Sequence, residues 1–453
     1  MAITINQQPT SPNMSNNDLL YVLSSPLIAQ PQFQYVADVF ISGSSTLVQR
    51  IKQQPNPSGK AVFNVGQILT ANLESDNIWK TSIFTTSTNC NKNFIVRFGE
   101  QYGTSVSSSV TLYTGVSPQA AGEPAKTGSE YYVITDGLVD YPDATTDFNF
   151  SSGSYYFEEL VDDIPFTHSF ALSTAPKTQS LREGDYATIS FYNGNADGEA
   201  DSTQAQDIFS MQVSQFDVNG VSGTNQFITS SILRGSPGSG ILWSNPTVVD
   251  SQTNQTTLVH LPVGYQNLTD NGVVWDSDVA YYTIIVHPQA TDGFTNELGI
   301  WDSLRYNIYS GNCDYSGQRF AWKNEFGVWD YYNFTLQSDE SNSVERLGFE
   351  KTNIPYNTST TSATFNVAER GNTQFVNKIT RRQNANSDWL TQAEADWLKE
   401  LFFSTNVFVQ VGSDFQPVVI TSAEQVSKTN PRSQKNFQYQ IEFEPANQTR
   451  NRQ

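Results

Sequence analysis

The residues best suited to acid–base or metal chemistry are few in this sequence and widely separated. Its histidines are His168, His260 and His287. His260 and His287 lie in apolar strand-like runs, LVHLP and IIVHPQ, which favours a structural role with satisfied hydrogen bonds. The two cysteines, Cys90 and Cys313, are too far apart to define a disulfide framework or a zinc site, so we expect buried, unpaired thiols.

Two further patterns bring oxygen atoms together. In Asn193–Gly198 (NGNADG), oxygen-bearing residues stand at positions 1, 3 and 5 and glycine at position 6, as in calcium-binding loops. Position 12 of the loop, which spans residues 193–204, is Gln204 rather than glutamate, so a hairpin loop is the favoured interpretation. The acidic pairs Glu158–Glu159 and Asp162–Asp163 are of a type that glycosidases use. Adjacent strand residues point to opposite faces, so we interpret these pairs as a solvated acidic rim.

Known catalytic motifs do not occur. The sequence contains no G-x-S-x-G elbow, no H-E-x-x-H pair and no phosphate-binding glycine loop. We therefore predict no catalytic residue, no cofactor and no metal ligand, and a protein that is not an enzyme.

An aromatic stretch, Arg319–Gln337 (RFAWKNEFGVWDYYNFTLQ), is predicted to be a β-hairpin that turns at Asn324–Gly327. Cross-strand aromatic pairs stabilise a sheet by about 0.2–1 kcal/mol each, so a packed core hairpin is one interpretation. Trp and Tyr also dominate binding hot spots, so a recognition surface is the other. The residues of that surface would be Trp322, Trp329, Tyr331 and Tyr332.

The composition restricts the class of protein. The chain of 453 residues has 25 Lys and Arg against 45 Asp and Glu, a net charge of -20. This charge repels phosphate backbones and disfavours nucleic-acid binding. No run of eighteen apolar residues occurs, so we expect no membrane insertion. The N-terminus, MAITINQQPTSPNMSNN, lacks the basic start and apolar core of a signal peptide, so we expect synthesis in a cytoplasm.

Short strands separated by Gly, Pro and Asn predict a mainly β protein with tandem antiparallel β-sandwich-like domains. We expect an extended N-terminal arm over residues 1–25 that orders against a partner. A β-sandwich domain is predicted over 26–165, a second β-rich domain over 166–300 and a C-terminal β domain over 301–453. One amphipathic helix, 391–403, begins with the capping box Thr391–Glu394 and is expected to pack on a sheet.

Three segments carry a resemblance to a known group of proteins. They are 55–69 (PNPSGKAVFNVGQIL), 319–337 (the aromatic hairpin) and 397–421 (WLKELFFSTNVFVQVGSDFQPVVIT). Together they resemble structural proteins of tailed bacteriophages, of the tail, baseplate or fibre type, that infect Bacteroidetes-type or marine bacteria. The middle of the chain is not covered. The resemblance implies a virion component that works by repeated assembly, and it implies no active site.

The sequence therefore predicts a virion structural protein, most simply a homo-oligomeric tail or baseplate subunit that contacts other virion proteins. A head decoration protein is an alternative position in the particle. A carbohydrate-binding adhesin that reads host-surface glycans through exposed aromatic rings is a second hypothesis. A glycan depolymerase is a third, and it needs two carboxylates about 5–9.5 Å apart in one cleft.

Overall fold

The computed structural model describes residues 3–9, 13–41, 47–81, 85–87, 89–103, 110–112, 132–135, 171–193, 208–230, 241–243, 257–288, 302–309, 317–350, 371–422, 438–447 and 451–452. In this part of the chain the protein is mainly β, with several antiparallel sheets and short helices, as the sequence predicts. The chain divides into two compact units. The first comprises residues 1–310 and 323–330, and the second comprises residues 311–322 and 331–453.

The elements of the first unit are numbered in chain order. They are β1 (Thr4–Gln7), β2 (Asn13–Met14), β3 (Leu20–Ser24), β4 (Gln34–Ile41), β5 (Leu47–Gln53), β6 (Lys60–Asn64), α1 (Gly66–Thr70), β7 (Thr85–Thr86), β8 (Asn91–Gln101), β9 (Val110–Leu112), β10 (Tyr132–Thr135), β11 (Thr178–Leu181), β12 (Thr188–Asn193), β13 (Ile208–Phe216), β14 (Ser222–Ser230), β15 (Ile241–Trp243), β16 (Thr257–Pro262), α2 (Tyr265–Asp270), β17 (Tyr281–Pro288) and β18 (Asp302–Ile308).

Two of its sheets share one apolar core. One has the order β1-β3-β6, and the other has the order β2-β10-β8-β4-β5 with β9 paired to β8. Alternate residues of β3 and β6, such as Tyr21 and Phe63, are buried together with Tyr35 of β4 and Phe98 of β8. The rings of Tyr21 and Phe98 lie 5.1 Å apart. Alternation of buried and exposed residues on facing sheets is the pattern of a β-sandwich.

The N-terminal segment differs from the expected arm. Strand β1 (Thr4–Gln7) pairs with β3 (Leu20–Ser24), and β2 (Asn13–Met14) pairs with β10 (Tyr132–Thr135). Leu19, Tyr21 and Leu23 alternate along the chain, and all are buried in the core. Burial of such side chains stabilises by about 1.5–3 kcal/mol each, which holds the segment in the chain's own sheets.

The remaining sheets of the first unit have the orders β11-β18-β17-β13-β14-β15 and β12-β16-β7. The short strand β7 joins β16 through the pairs Val259–Thr86 and His260–Thr85. Strand β7 belongs to the domain predicted over 26–165, and β12 and β16 belong to the one predicted over 166–300, yet the three strands form one sheet. The domain boundary at 165/166 stays a prediction.

The second unit contains one large sheet with the order β20-β19-β23-β24-β25-β22-β21, with β26 paired to β22. Its elements are β19 (Gln318–Lys323), β20 (Trp329–Phe334), β21 (Asp339–Glu350), β22 (Asn372–Asn386), α3 (Gln392–Trp397), α4 (Lys399–Phe403), β23 (Val407–Val411), β24 (Asp414–Ile420), β25 (Gln440–Pro445) and β26 (Asn451–Arg452). The end residue Lys323 of β19 and the first two residues of β20, Trp329 and Asp330, are assigned to the first unit.

The predicted C-terminal helix is present with its capping box. The Thr391 hydroxyl accepts from the Glu394 amide, and the Glu394 carboxylate accepts from the Thr391 amide. The helix is interrupted at Leu398, so it forms two short helices, α3 and α4. Trp397, Leu398 and Leu401 are buried, as the apolar face requires.

Candidate functional site

The four aromatic residues proposed as a recognition surface do not form an exposed face. Trp322 is fully buried, Trp329 and Tyr331 are buried, and Tyr332 is half-buried. Trp322 packs on Trp397 at a centroid distance of 5.1 Å, and Tyr332 packs edge-on against the same ring at 5.9 Å. The burial favours the core interpretation of this hairpin over a recognition surface.

The surface feature that stands out is the ribbon formed by β21 and β22. The two strands pair antiparallel from Asp339–Asn384 to Glu350–Asn372, with an irregularity in register between Leu347 and Gly348. All twelve residues of β21 are exposed. At about 3.3 Å per residue, twelve residues extend about 40 Å. In the sheet order, β21 is the outermost strand, and β22 is its neighbour.

Both faces of the ribbon expose apolar side chains. Val344 and Ile379 lie directly opposite each other on one face and are 39% and 37% exposed. Leu347 and Phe349 lie on the other face because side chains alternate along a strand, and they are 49% and 52% exposed. Exposed apolar side chains on a long edge strand favour association with another chain, whereas the charges and the register irregularity of β21 oppose unspecific pairing.

The charges of the two ribbon strands are complementary. Strand β21 carries four acidic residues and one basic residue, and β22 carries three basic residues and no acidic one. Two ion pairs fix part of this charge: Arg381 with Glu340 at 3.0 Å, and Arg382 with Glu444 at 2.8 Å. The ribbon as a whole is neutral, in a chain whose net charge is -20.

A second feature is a polar cluster in the interior of the first unit, formed by Asp76, Ser87, Cys90, Ser190 and His260. Asp76 follows α1 in a loop and accepts from the Asn89 and Cys90 amides and the Ser87 hydroxyl. His260 on β16 is 1% exposed, and its Nδ1 lies 2.8 Å from Ser190 Oγ. Its Nε2 lies 3.7 Å from Asp76 Oδ2.

Packing fixes the position of Asp76. Trp329 donates a hydrogen bond from Nε1 to the Asp76 carbonyl at 2.7 Å, and its ring packs edge-on against Trp79 at 4.8 Å. Asn267 in α2 donates to the carbonyls of Trp79 and Thr81 at 2.8 and 2.6 Å. The loop that carries Asp76 is therefore held on both sides by buried hydrogen bonds.

The surroundings of the cluster shift the pKa values of Asp76 and Cys90 in opposite directions. Burial by itself would raise the pKa of Asp76, but its interactions with His260, Ser87 and Cys90 together hold the pKa below its usual range. Burial, followed by the negative charge of Asp76, raises the pKa of the Cys90 thiol well above its ordinary value. At neutral pH, Asp76 is an anion and Cys90 a neutral thiol.

The residue types Ser, His and Asp occur in a hydrolase triad, but this geometry does not support one. A triad places the nucleophile and the acid on opposite imidazole nitrogens with the serine facing substrate. Here Ser190 is 4% exposed and Asp76 is 5% exposed. A serine that no substrate reaches does not act as a nucleophile, so we interpret the cluster as a structural or metal-binding group.

Several residues singled out by sequence lie outside the described part of the chain. They are His168, Cys313, the acidic pairs at 158–163 and loop residues 194–204. His287 lies on β17, where only the backbone is described. The interpretations of residues 193–204 as a hairpin loop and of the acidic pairs as a solvated rim stay predictions.

The structure reveals two features that sequence reasoning missed. The buried cluster joins residues as far apart as Asp76 and His260, which no local pattern reveals. The ribbon lacks the apolar alternation of a half-buried strand, because neither face of β21 is buried. Its one sequence signal is the segregation of acidic and basic residues between two polar segments.

Comparison with known proteins finds no matching family model and no matching curated protein. Among the residues that the structure describes, no helix is long and apolar enough to cross a membrane.

Proposed function

We propose that this chain is a structural, non-enzymatic subunit of a bacteriophage virion, in its tail or baseplate, that assembles with copies of itself and with neighbouring virion proteins. The observation that carries the assembly part is the exposed β21–β22 ribbon. The three segments that resemble tailed-phage structural proteins, 55–69, 319–337 and 397–421, support the virion part.

The ribbon is suited to contact with a second copy of the chain. Exposed apolar groups on both faces, Val344 with Ile379 and Leu347 with Phe349, lose contact with water when a neighbour covers them. Because both faces carry such groups, the ribbon fits between two neighbouring surfaces. This arrangement suits rings and other repeated assemblies, in which each copy contacts neighbours on two sides.

The charge distribution favours a copy of the same chain as the partner. Two chains of net charge -20 repel each other over most of their surfaces. The ribbon is locally neutral, and an antiparallel approach of two ribbons places acidic β21 over basic β22 of the neighbour. Complementary charge of this kind selects the partner and its register.

The alternatives have less support. The carbohydrate-binding hypothesis relied on the hairpin rings, which are buried or half-buried. The glycan-depolymerase hypothesis stays a prediction, because its candidate carboxylates at 158–163 lie outside the part of the chain that the structure describes. Position in the head remains an alternative to the tail, because the same ribbon suits either.

The proposal is tested by measuring the mass of the purified full chain by light scattering, together with mass spectrometry of purified particles of the encoding phage. We expect a discrete oligomer in solution and many copies of the chain per particle. A monomer at all accessible concentrations that is also absent from particles would overturn the proposal. A glycan array with the folded protein, if positive, would favour the adhesin instead.

A further inference from the structure

We propose that Asp76, Cys90 and His260 form a zinc-binding site in the interior of the first unit. The three residues are buried, and one ligand atom of each lies within 4.8 Å of the others. This inference does not depend on the proposed function, because the site and the ribbon lie in different units.

The donor types select the metal. A thiolate, an imidazole and a carboxylate are all established zinc ligands. Calcium and magnesium prefer shells made of oxygen, so a sulfur donor argues against both. Zinc is the divalent ion that best fits one sulfur, one nitrogen and one oxygen.

The distance between His260 and Asp76 fits two ligands of one ion. Nε2 and Oδ2 are 3.7 Å apart, which is too long for a hydrogen bond. Two ligands at about 2.0–2.2 Å from a tetrahedral zinc ion are about 3.3–3.6 Å apart. His260 Nε2 is buried and has no hydrogen-bond partner. A metal ion between the two atoms satisfies this nitrogen, which is otherwise a costly buried polar group.

The surrounding residues orient the ligands. Ser190 Oγ lies 2.8 Å from the other imidazole nitrogen, Nδ1, and so directs Nε2 towards Asp76. The backbone amides of Asn89 and Cys90 hold the Asp76 carboxylate. Such contacts, one shell beyond the metal, fix tautomer and ring orientation in zinc sites. A water molecule would complete a tetrahedral shell with the three side chains.

Charge balance also favours a divalent ion. A zinc ion displaces the proton of the Cys90 thiol on binding. One thiolate and one carboxylate then neutralise the two positive charges, and the imidazole stays neutral. A neutral assembly is the arrangement that a buried position tolerates.

The test is the zinc content of the purified full chain. The protein is incubated with zinc chloride and dialysed, and its zinc is measured by inductively coupled plasma mass spectrometry. We expect about one zinc ion per chain, the stoichiometry of a single three-residue site. C90S and H260Q should each retain much less than one zinc ion per chain. C313S, which changes the other cysteine, is the control and should retain it.

Two results would overturn the proposal: wild-type protein without stoichiometric zinc, or C90S with the same zinc content as wild type. If C90S and H260Q do not fold, cobalt replaces zinc in the wild-type and C313S proteins. A thiolate-to-cobalt absorption band in both supports the site at Cys90. Cobalt binding without that band, or with a band that C313S removes, contradicts it.

Discussion

Val344 lies directly opposite Ile379 in a ribbon whose outer strand is exposed along all of its twelve residues. A pair of apolar side chains facing each other across two strands normally forms part of a core. Here the two side chains are 39% and 37% exposed, so their burial is incomplete in the single chain. The proposed contact with another copy completes it.

Asn267 is a buried residue whose side chain makes three hydrogen bonds to backbone groups. Its side chain donates to the carbonyls of Trp79 and Thr81 and accepts from the Ala187 amide at 2.8 Å. Asn267→Ala leaves these three backbone groups without their partner, and we expect a loss of about 2–4 kcal/mol in the free energy of unfolding. Urea denaturation of the full chain measures it.

The matched control for Asn267 is Gln266→Ala, an amide on the same helix whose side chain bonds to exposed Asp270. We expect this change to stay within about 0.5 kcal/mol of wild type. Equal losses in the two variants would show that the buried hydrogen bonds of Asn267 are not what holds the loop 79–81.

The ion pair of Arg50 with Asp38 gives a second prediction. Arg50 donates from Nε and Nη2 to the two carboxylate oxygens at 2.7 Å each, and Asp38 is 1% exposed. Arg50→Met leaves a buried carboxylate without its charge partner. Because Arg50 itself is partly exposed, we expect a moderate loss of about 1–3 kcal/mol.

Two companion variants separate charge from packing at this ion pair. Lys52→Met, an exposed change on the same strand, should have little effect. Asp38→Asn in the Arg50→Met background should recover part of the lost stability, because it removes the uncompensated charge. No recovery would mean that the arginine acts through packing of its side chain alone.

The raised pKa of Tyr332 predicts that the free energy of unfolding depends on pH in the alkaline range. Burial, followed by the negative charges of Glu394 and Asp388, raises the pKa of Tyr332 above its ordinary value. Below about pH 10 the phenol is neutral in both the folded and the unfolded chain. As the pH rises further, the unfolded chain loses this proton first, so stability falls as the pH moves towards the folded pKa.

Tyr332→Phe removes this titration. We expect the difference in unfolding free energy between variant and wild type to shift in favour of the variant as the pH rises from 8 to about 10.5. Urea denaturation at both pH values measures this shift, and the value at pH 8 serves as the reference. A difference that does not change with pH would contradict the raised pKa.

Local interactions could be predicted from the sequence, and long-range ones could not. The capping box Thr391–Glu394 depends on residues three apart, and it is present as expected. The helix break at Leu398 has no such local signal. An extended arm was expected over 1–25 because the segment is largely polar. Its alternation of Leu19, Tyr21 and Leu23 is a strand pattern that this composition concealed.

The two candidate sites were beyond prediction for different physical reasons. Asp76 and His260 meet only because β7 pairs with β16, a contact between distant segments. The ribbon strands are 22 positions apart, from Glu350 to Asn372, and β21 shows no apolar periodicity because all of its residues are exposed. Periodicity reveals a strand only where one face is buried.

The central claim is that the ribbon joins copies of the chain, and the most direct test is the mass in solution of a ribbon variant. Val344→Ser, Leu347→Ser and Phe349→Ser are combined in one chain, with circular dichroism and thermal unfolding as the check on folding. The control combines Val218→Ser, Val221→Ser and Val274→Ser, which are 84%, 63% and 72% exposed in the first unit.

We expect light scattering to give a discrete oligomer for the wild type and the control, and a monomer for the folded ribbon variant. A folded ribbon variant with the same oligomeric mass as the wild type would contradict the account.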